Sequence, residues 1–561
     1  MDADVIVVGH GLSGLVTARE LTKAGKRVIV VDQQGPQDLG GQAWWSFGGL
    51  FLVDSPEQRR LRVKDSFDLA WSDWQGSAGW DRLDGPGDQD AWAHRWGRAY
   101  VEFATGEKHA WLREAGVGLT PVVGWAERGD GRLGGHGNSV PRFHIAWGTG
   151  TGVVAPFARA ARAAADDGLL TFLHRRAVRG LLTEAGVVVG VHGDVLADDV
   201  APRGAATGHE AVGTFELRAE AVVLASGGIG GNHELVRRFW PARLGAPPRE
   251  MVTGVPAYVD GSMLAPAEAA GARLVNRDRM WHYTEGVRNW DPVWPGHGIR
   301  ILPGPSPLWL DALGRRLPVP GLPGHDTLGT LKLLRTTPEL AEFDHSWFVV
   351  NRSILAKEFA LSGSEQNPDI TNRDRRLLLK TRLGGGIPGP VQAFVDHGAD
   401  FVSADSVSAL VRGMNRVAPE AVLEEGTVLE AIRQRDAEFR NPFSKDAQAQ
   451  SVHNARRYLG DRLVRVAKPR RLLDTAGHPE DGLVAVKLHT LTRKSLGGLQ
   501  TDLASRVLGL DGHPVSGLYA VGEAAGFGGG GAHGYNALEG TFLGGCLFTG
   551  LSAGRDLAAR L

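Results

Sequence analysis

The stretch Gly9-His10-Gly11-Leu12-Ser13-Gly14, with Asp32 eighteen residues beyond its last glycine, carries the residue types needed to grip a dinucleotide. Gly9 permits a tight turn, Gly11 lets backbone approach a pyrophosphate, and Gly14 lets a helix lie close against a strand. An acid at that distance accepts hydrogen bonds from an adenosine ribose. A second set lies near the C-terminus, in GEAAGFGGGGAHGYNALEGTFLGG over residues 522–545. Glycine alone would read as a flexible linker. Here Glu523, His533, Tyr535 and Glu539 stand among the glycines, and the stretch runs straight into the apolar TFLGGCLFTGL. That combination reads as the wall of a binding site whose other wall lies far away in sequence.

The first set needs a strand, a helix and a second strand to position it. Val5 to Val8 is a short β-branched apolar run, as a buried parallel strand should be. LVTARELTKAG has helical spacing and stops at Gly25, a C-cap position, while the helix start offers free N–H groups to an anion. RVIVVD then ends on Asp32, followed by Gln33. The next segment, LGGQAWWSFGGLF (39–51), decides between the cofactors that share this motif. A nicotinamide domain would continue with ordinary βα repeats. Gly40-Gly41 and Gly48-Gly49 instead bring backbone close to a ligand, as a flavin ring requires. Farther on, FELRAEAVVLASGGIGGN (215–232) is a strand running into a glycine turn, which returns Ala225, Ser226 and Gly227 to the dinucleotide site.

Residues 54–115 and 335–480 read as mainly helical, 116–150 as irregular and 278–330 as poor in regular structure. Strand character returns at LVAVKLHTLTRKSLGGLQTD and GLYAVGEAAG. The expected class is α/β. A discontinuous cofactor-binding domain, 1–275 with 491–561, is interrupted by an inserted α+β cap domain, 276–490, on the substrate side.

Composition narrows the function. The chain has 561 residues, 42% hydrophobic and 22% charged, which fits a globular protein with more than one core. A formal net charge of −1 gives no reason to expect nucleic acid. One cysteine, Cys546, excludes an intrachain disulfide and a thiolate metal or iron–sulfur site, and it reads as a small buried hydrophobe. No His/Asp/Glu spacing looks like a metal site. No apolar run reaches about 18 residues, so no membrane span is expected. MDADVIVVGHG lacks a basic leader, so a cytoplasmic protein is expected. The 16 tryptophans read as aromatic packing.

The ordered set VIVVGHGLSG, VVD, GGQA, VVLASGGIGGN, VDGSM, LGGLQTD and GLYAVGEAAG resembles the flavoprotein family of fumarate reductase and 3-ketosteroid Δ1-dehydrogenase, over almost the whole chain. The resemblance implies a Rossmann-like FAD domain of the glutathione-reductase kind, with the flavin ring at its interface with the cap. It implies that Gly9, Gly11, Ser13 and Gly14 hold the pyrophosphate, flanked by Leu12, and that Asp32 and Gln33 sit at the adenosine ribose. Gly40, Gly41, Gln42 and Ala43 would flank the flavin, Val178 would lie near adenine, and Ala225 and Ser226 would close the nucleotide site. Asp260 corresponds to a flavin-facing aspartate, and Glu523, beside Gly522, to a ribityl-binding glutamate. A helix starting near Thr541, with Phe542 and Leu543, would aim its positive end at the flavin. The GGQA region lacks an attachment histidine, which implies non-covalent FAD.

A flavin accepts or gives a hydride, and the protein supplies an acid or base and polarises the substrate. The fumarate reductase branch uses a proton-donating arginine. Its HGxNRLGGN motif resembles His533–Thr541 here, with Ala537 at the arginine position and Glu539 close behind. Its HHTMGG motif stands here as Arg493-Lys494-Ser495-Leu496-Gly497-Gly498. The ketosteroid branch uses one tyrosine and a glycine N–H to polarise a ketone, and a second tyrosine as base. That branch places Gly540 on the oxyanion glycine and Tyr535 near the family tyrosine, with cations such as Arg493 or Lys494 favouring a phenolate. In RMWHYTEG, His282 and Tyr283 compete for a substrate-facing role, while His136, His144 and Glu285 read as structural. The expected activity is removal of vicinal hydrogens from a ketone-activated, cyclic small molecule. The electron acceptor and the oligomeric state stay open. An ene-reductase and a flavin subunit passing electrons to a partner are the alternatives.

Overall fold

The computed structural model describes residues 1–84 and 88–561. A six-stranded sheet runs in the order Arg506–Leu508, Pro514–Ala520, Ala221–Leu224, Val5–Val8, Val28–Val31, Leu170–Leu173. Every neighbouring pair is parallel except the first. Alternate residues face opposite layers. Val5, Val7, Val28 and Val30 pack toward the helices Leu12–Lys23, Thr149–Asp166 and Thr541–Arg560. Ile6, Val8, Ile29 and Val31 pack with Val178, Val188 and Val191 of a three-stranded antiparallel sheet, Arg176–Glu184, Val187–Leu196 and Ala211–Arg218. Both faces are buried, which is why these strands read as unbroken apolar runs. The first helix ends at Lys23, and Gly25 turns the chain at φ +77°.

A second sheet of eight strands has its own core, built around Trp309, Trp347, Phe348 and Val486. Its central path is Leu308–Leu310, His345–Asn351, Leu483–Ser495, Met280–Arg288, Gly298–Leu302 and Ala360–Leu361. Val252–Thr253 and Phe401–Ala404 also pair with Leu483–Ser495. That strand is continuous over 13 residues and passes through the expected domain boundary at 490–491.

Two sequence readings need correction. Residues 278–330 contain three strands. They are buried on both faces and separated by Pro- and Gly-rich turns, so neither alternation nor length marked them. Residues 116–150 contain Leu119–Gly124 and Phe143–Ala146, which form a small antiparallel sheet with Gly49–Phe51. The expected helices in 54–115 are present, as Pro56–Arg60, Phe67–Ala78, Ala91–Thr105 and Lys108–Ala115.

The C-terminal glycine run folds against the tryptophans of this helical segment. The indole of Trp74 donates to Ala532 O at 2.9 Å, and that of Trp96 to Asp502 O at 3.0 Å. A Cβ on Gly528 would stand 2.6 Å from the Trp96 ring, and its φ is +123°. The glycines are required by close packing there, so the run is not a linker.

Arg142 ties the same region to the small sheet. Its guanidinium is buried and donates to Asp65 at 2.7 and 2.8 Å, to Asn138 at 2.8 Å and to Asp73. Arg142→Met is expected to leave two buried carboxylates unpaired and to cost about 3–5 kcal/mol. The measurement is the shift of the denaturant midpoint of the flavin-loaded protein; a midpoint unchanged from wild type would contradict the assignment.

Candidate active site

Two cavities meet at the C-terminal edge of the parallel sheet. The first begins at the turn after Val5–Val8. A Cβ on Gly9 would lie 2.5 Å from Ala225 O, and the residue sits at φ +107°, so only glycine fits. At Gly11 the nearest atom to a built Cβ is 3.9 Å away, which leaves open space above the backbone. The helix that follows has no side-chain cap, so its first N–H groups are available to an anion. Asp32 accepts from His10 N–H and Gln34 N–H, both at 2.8 Å, and keeps further acceptor capacity toward the cavity. Leu12, Ser13, Gln33, Gly40 and Gly41 line this space. So do Val178, Ala225, Ser226 and Gly227, together with Arg176 and Tyr258, which the sequence reading did not single out.

Gln42, Ala43, Glu523 and Cys546 line both cavities and mark their junction. The Glu523 carboxylate accepts from Ser495 N–H at 2.9 Å, Ser495 Oγ–H at 3.1 Å and Gln42 Nε2–H at 2.7 Å. Lys494 donates to Gln42 Oε1 at 3.0 Å, and burial pushes its ammonium down to about 8. Cys546 stands at this junction, partly buried and packed against the hydrophobic core, and burial pushes its thiol up to about 12.

The second cavity is closed by Gly48, Gly49, Gly540, Phe542 and Leu543 on one side and by Tyr283, Leu491 and Arg493 on another. Gly540, at φ +88°, caps the helix Thr541–Arg560, and its carbonyl accepts from Phe51 N–H at 2.9 Å. The Arg493 guanidinium lines the cavity without a hydrogen-bond partner among the described residues. Its charged form is disfavoured by burial.

A buried charge cluster forms the far wall. Arg300 donates to Glu539 at 2.8 Å and to Glu127, approaches Glu285 at 3.7 Å, and lies over the Tyr283 ring at 3.7 Å. The Tyr283 hydroxyl donates to Glu539 Oε1 at 3.2 Å. Burial, and then Glu539, push the Tyr283 hydroxyl well above its ordinary value, outweighing Arg300 and Arg493. Burial likewise pushes Glu127 up to about 7 and raises Glu285. Glu285 was expected to be structural; it belongs to this cluster without lining the cavity. Sequence reasoning missed Arg300 and Glu127. The available signal was a lone cation inside the apolar strand GIRIL, which must be paired if buried.

Several expected site residues lie elsewhere. Tyr535 is half-buried outside both cavities; its hydroxyl donates to Asp81 at 3.0 Å and its ring is covered by Arg243 and Arg279. It is not placed to take a proton from a ligand in the cavity. His282 is also outside. Its Nδ1 accepts from Arg493 N–H at 3.1 Å, its ring stacks on Trp240, and burial pushes it down to about 3, so it fixes the Arg493 backbone. Asp260 accepts from Ser262 N–H beside the first cavity and does not face the second. Gly14, Gly522 and Thr541 support from behind. A Cβ on Gly14 would meet Gly9 O at 2.2 Å, Gly522 N–H donates to Thr549 Oγ1 at 2.8 Å, and the Thr541 hydroxyl is engaged by Leu538 O and His533. His144 is structural, held by Ser55 at 2.7 Å and Arg142 O at 2.8 Å. His136 packs 3.6 Å from Glu127 and does not line either cavity.

A third cavity, of about 320 Å³, abuts the second across Phe47, Ala126, Phe143 and Leu302. Its lining is predominantly apolar and includes Val122, Trp125, Ile145 and Ile370. Its size falls within the roughly 300–1,000 Å³ of small-molecule sites.

The open backbone over Gly11, the uncapped helix start and Asp32 fit the pyrophosphate and ribose of FAD, and the glycine-walled second cavity fits its ring. Gly11→Val is expected to fold, because its Cβ meets nothing closer than 3.9 Å, yet to fill the pyrophosphate space. The purified variant should show unchanged far-ultraviolet circular dichroism and lack flavin absorbance; full flavin content would refute the placement.

Residues 4–543 match a family described as FAD binding domain. A KsdD-like steroid dehydrogenase of Mycolicibacterium smegmatis is 58% identical over 558 residues, covering 100% of this chain and 99% of the relative. Among solved structures, 3-ketosteroid Δ1-dehydrogenase from Sterolibacterium denitrificans has a TM-score of 0.66 at 17% identity, covering all of both chains. A flavocytochrome c3 fumarate reductase has a TM-score of 0.63 at 19% identity, covering 99% of this chain and 78% of that one. Both share the fold. The chain binds FAD and is an oxidoreductase, and it belongs to the FAD binding domain family.

Proposed function

We propose that the chain is a dehydrogenase that removes vicinal hydrogens from a ketone-activated, steroid-like substrate. The observation that carries this reading is the apolar cavity of about 320 Å³ set directly against the ring cavity, where Tyr283 and Glu539 stand. The name of the relative from M. smegmatis, a steroid dehydrogenase, supports the substrate class. Residues 1–275 with 491–561 hold FAD without a covalent bond, and 276–490 share the walls of the apolar cavity with residues of the first segment such as Val122, Trp125 and Phe143.

FAD, when bound, would supply the hydride acceptor, with an electron acceptor outside the chain to reoxidise it. The protein handles the proton. A free Tyr283 phenolate is disfavoured by burial, so the tyrosine acts through its partner. The substrate C–H proton passes to the Tyr283 oxygen while the hydroxyl proton passes to Glu539 Oε1. Arg300 holds Glu539 in place. The Gly540 N–H and the helix start behind it offer donors to the developing enolate oxygen.

A second reading, reduction of an alkene bearing a carboxylate, draws on Arg493, whose guanidinium lines the same cavity and has no hydrogen-bond partner among the described residues. Anaerobic mixing with a 3-ketosteroid separates the two. Dehydrogenation bleaches the flavin without added reductant. No bleaching by any cyclic ketone, with reoxidation of the dithionite-reduced protein by an unsaturated acid, would establish the second reading instead. Tyr283→Phe is expected to slow bleaching by about 10²–10⁴-fold, while Tyr535→Phe leaves it near the wild-type rate. Equal rates in wild type and Tyr283→Phe would remove the tyrosine from the mechanism.

A further inference from the structure

The helix Arg375–Leu383 buries none of its described residues. Its sequence, RRLLLKTRL, holds four basic residues and no acidic one. Leu377 and Leu379 are 37% and 59% exposed, and on the helix packed beside it, Leu459–Val464, Leu459 and Leu463 are 44% and 50% exposed. Single exposed leucines are ordinary, whereas four on two touching helices form a patch.

Exposed cations surround it: Arg375, Arg376, Lys380, Arg457 and Arg462. The acids of these segments are engaged. Asp374 accepts from the Arg376 and Leu377 N–H groups, and buried Asp461 pairs with Arg128 at 2.6 Å. Leucines flanked by cations that have no ion pair among the described residues are the chemistry of a helix lying in a membrane interface. No helix among the described residues is long and apolar enough to cross a membrane. Leu379 and Leu463 also line the third cavity, so the patch and the apolar chamber share their walls.

We propose that this patch docks the protein on an anionic lipid bilayer, leucines at the acyl boundary and cations among the headgroups. The cavity mouth then opens onto the membrane, and an apolar substrate reaches the site without passing through water. The delivery role rests on the steroid-like reading; docking itself does not.

The test is sedimentation of the flavin-loaded protein with vesicles of phosphatidylcholine, alone or mixed with phosphatidylglycerol, with no substrate present. Binding should require phosphatidylglycerol and fall with added salt. Leu377→Glu/Leu459→Glu and Arg376→Glu/Lys380→Glu should each weaken it by about tenfold or more, with flavin content unchanged. Absence of binding, equal binding to neutral vesicles, or binding kept by both variants would overturn the proposal. Self-association without lipid that Leu377→Glu/Leu459→Glu abolishes would assign the patch to a second copy of the chain instead. Because substrate is absent from the assay, failure of the steroid reading would leave its outcome unchanged.

Discussion

A carboxylate taken out of water must be fully hydrogen-bonded, and Glu523 meets that condition with donors drawn from two other parts of the chain. Ser495 comes from the end of the second sheet, Gln42 from the loop after the second strand, and Glu523 from the turn after the last long strand. Each donor is worth little unless the others are in place, because a half-satisfied buried charge costs more than none. The junction of the two cavities therefore sits at the point where these segments are forced together. Lys494 extends the network through Gln42, and the ring cavity inherits its shape from it.

The second organising charge is Arg300. One guanidinium faces three buried carboxylates, Glu127, Glu285 and Glu539, and such a group cannot hold three full negative charges at low dielectric. It retains protons instead, which is the direction seen for Glu127 and Glu285. Tyr283 therefore stands beside a cluster in which burial raises Glu127 and Glu285.

The dinucleotide half was legible because its constraints are local. Gly9, Gly11 and Asp32 lie on one strand–helix–strand unit, where spacing in sequence is spacing in space. The ring cavity was legible only in part. Gly540, Arg493 and Tyr283 were found through motif resemblance and do line it. Tyr535 and His282 came from the same resemblance, yet Tyr535 turns out to Asp81 and His282 turns inward to a backbone N–H. Neighbours on a strand, as His282 and Tyr283 are, point in opposite directions, and no composition argument supplies that orientation. Arg300 and Glu127 escaped because their partners are 173 positions away from each other.

The strand Leu483–Ser495 has a further consequence. Its first half is the spine of the second sheet, and its last residues are Arg493, Lys494 and Ser495 at the cofactor junction. Unlike a cap joined by loops, this one shares a hydrogen-bonded rod with the active site. The two parts cannot be separated by proteolysis or recombination without cutting a wall of the catalytic chamber. A break in this strand would therefore disturb the second sheet and the cofactor junction together.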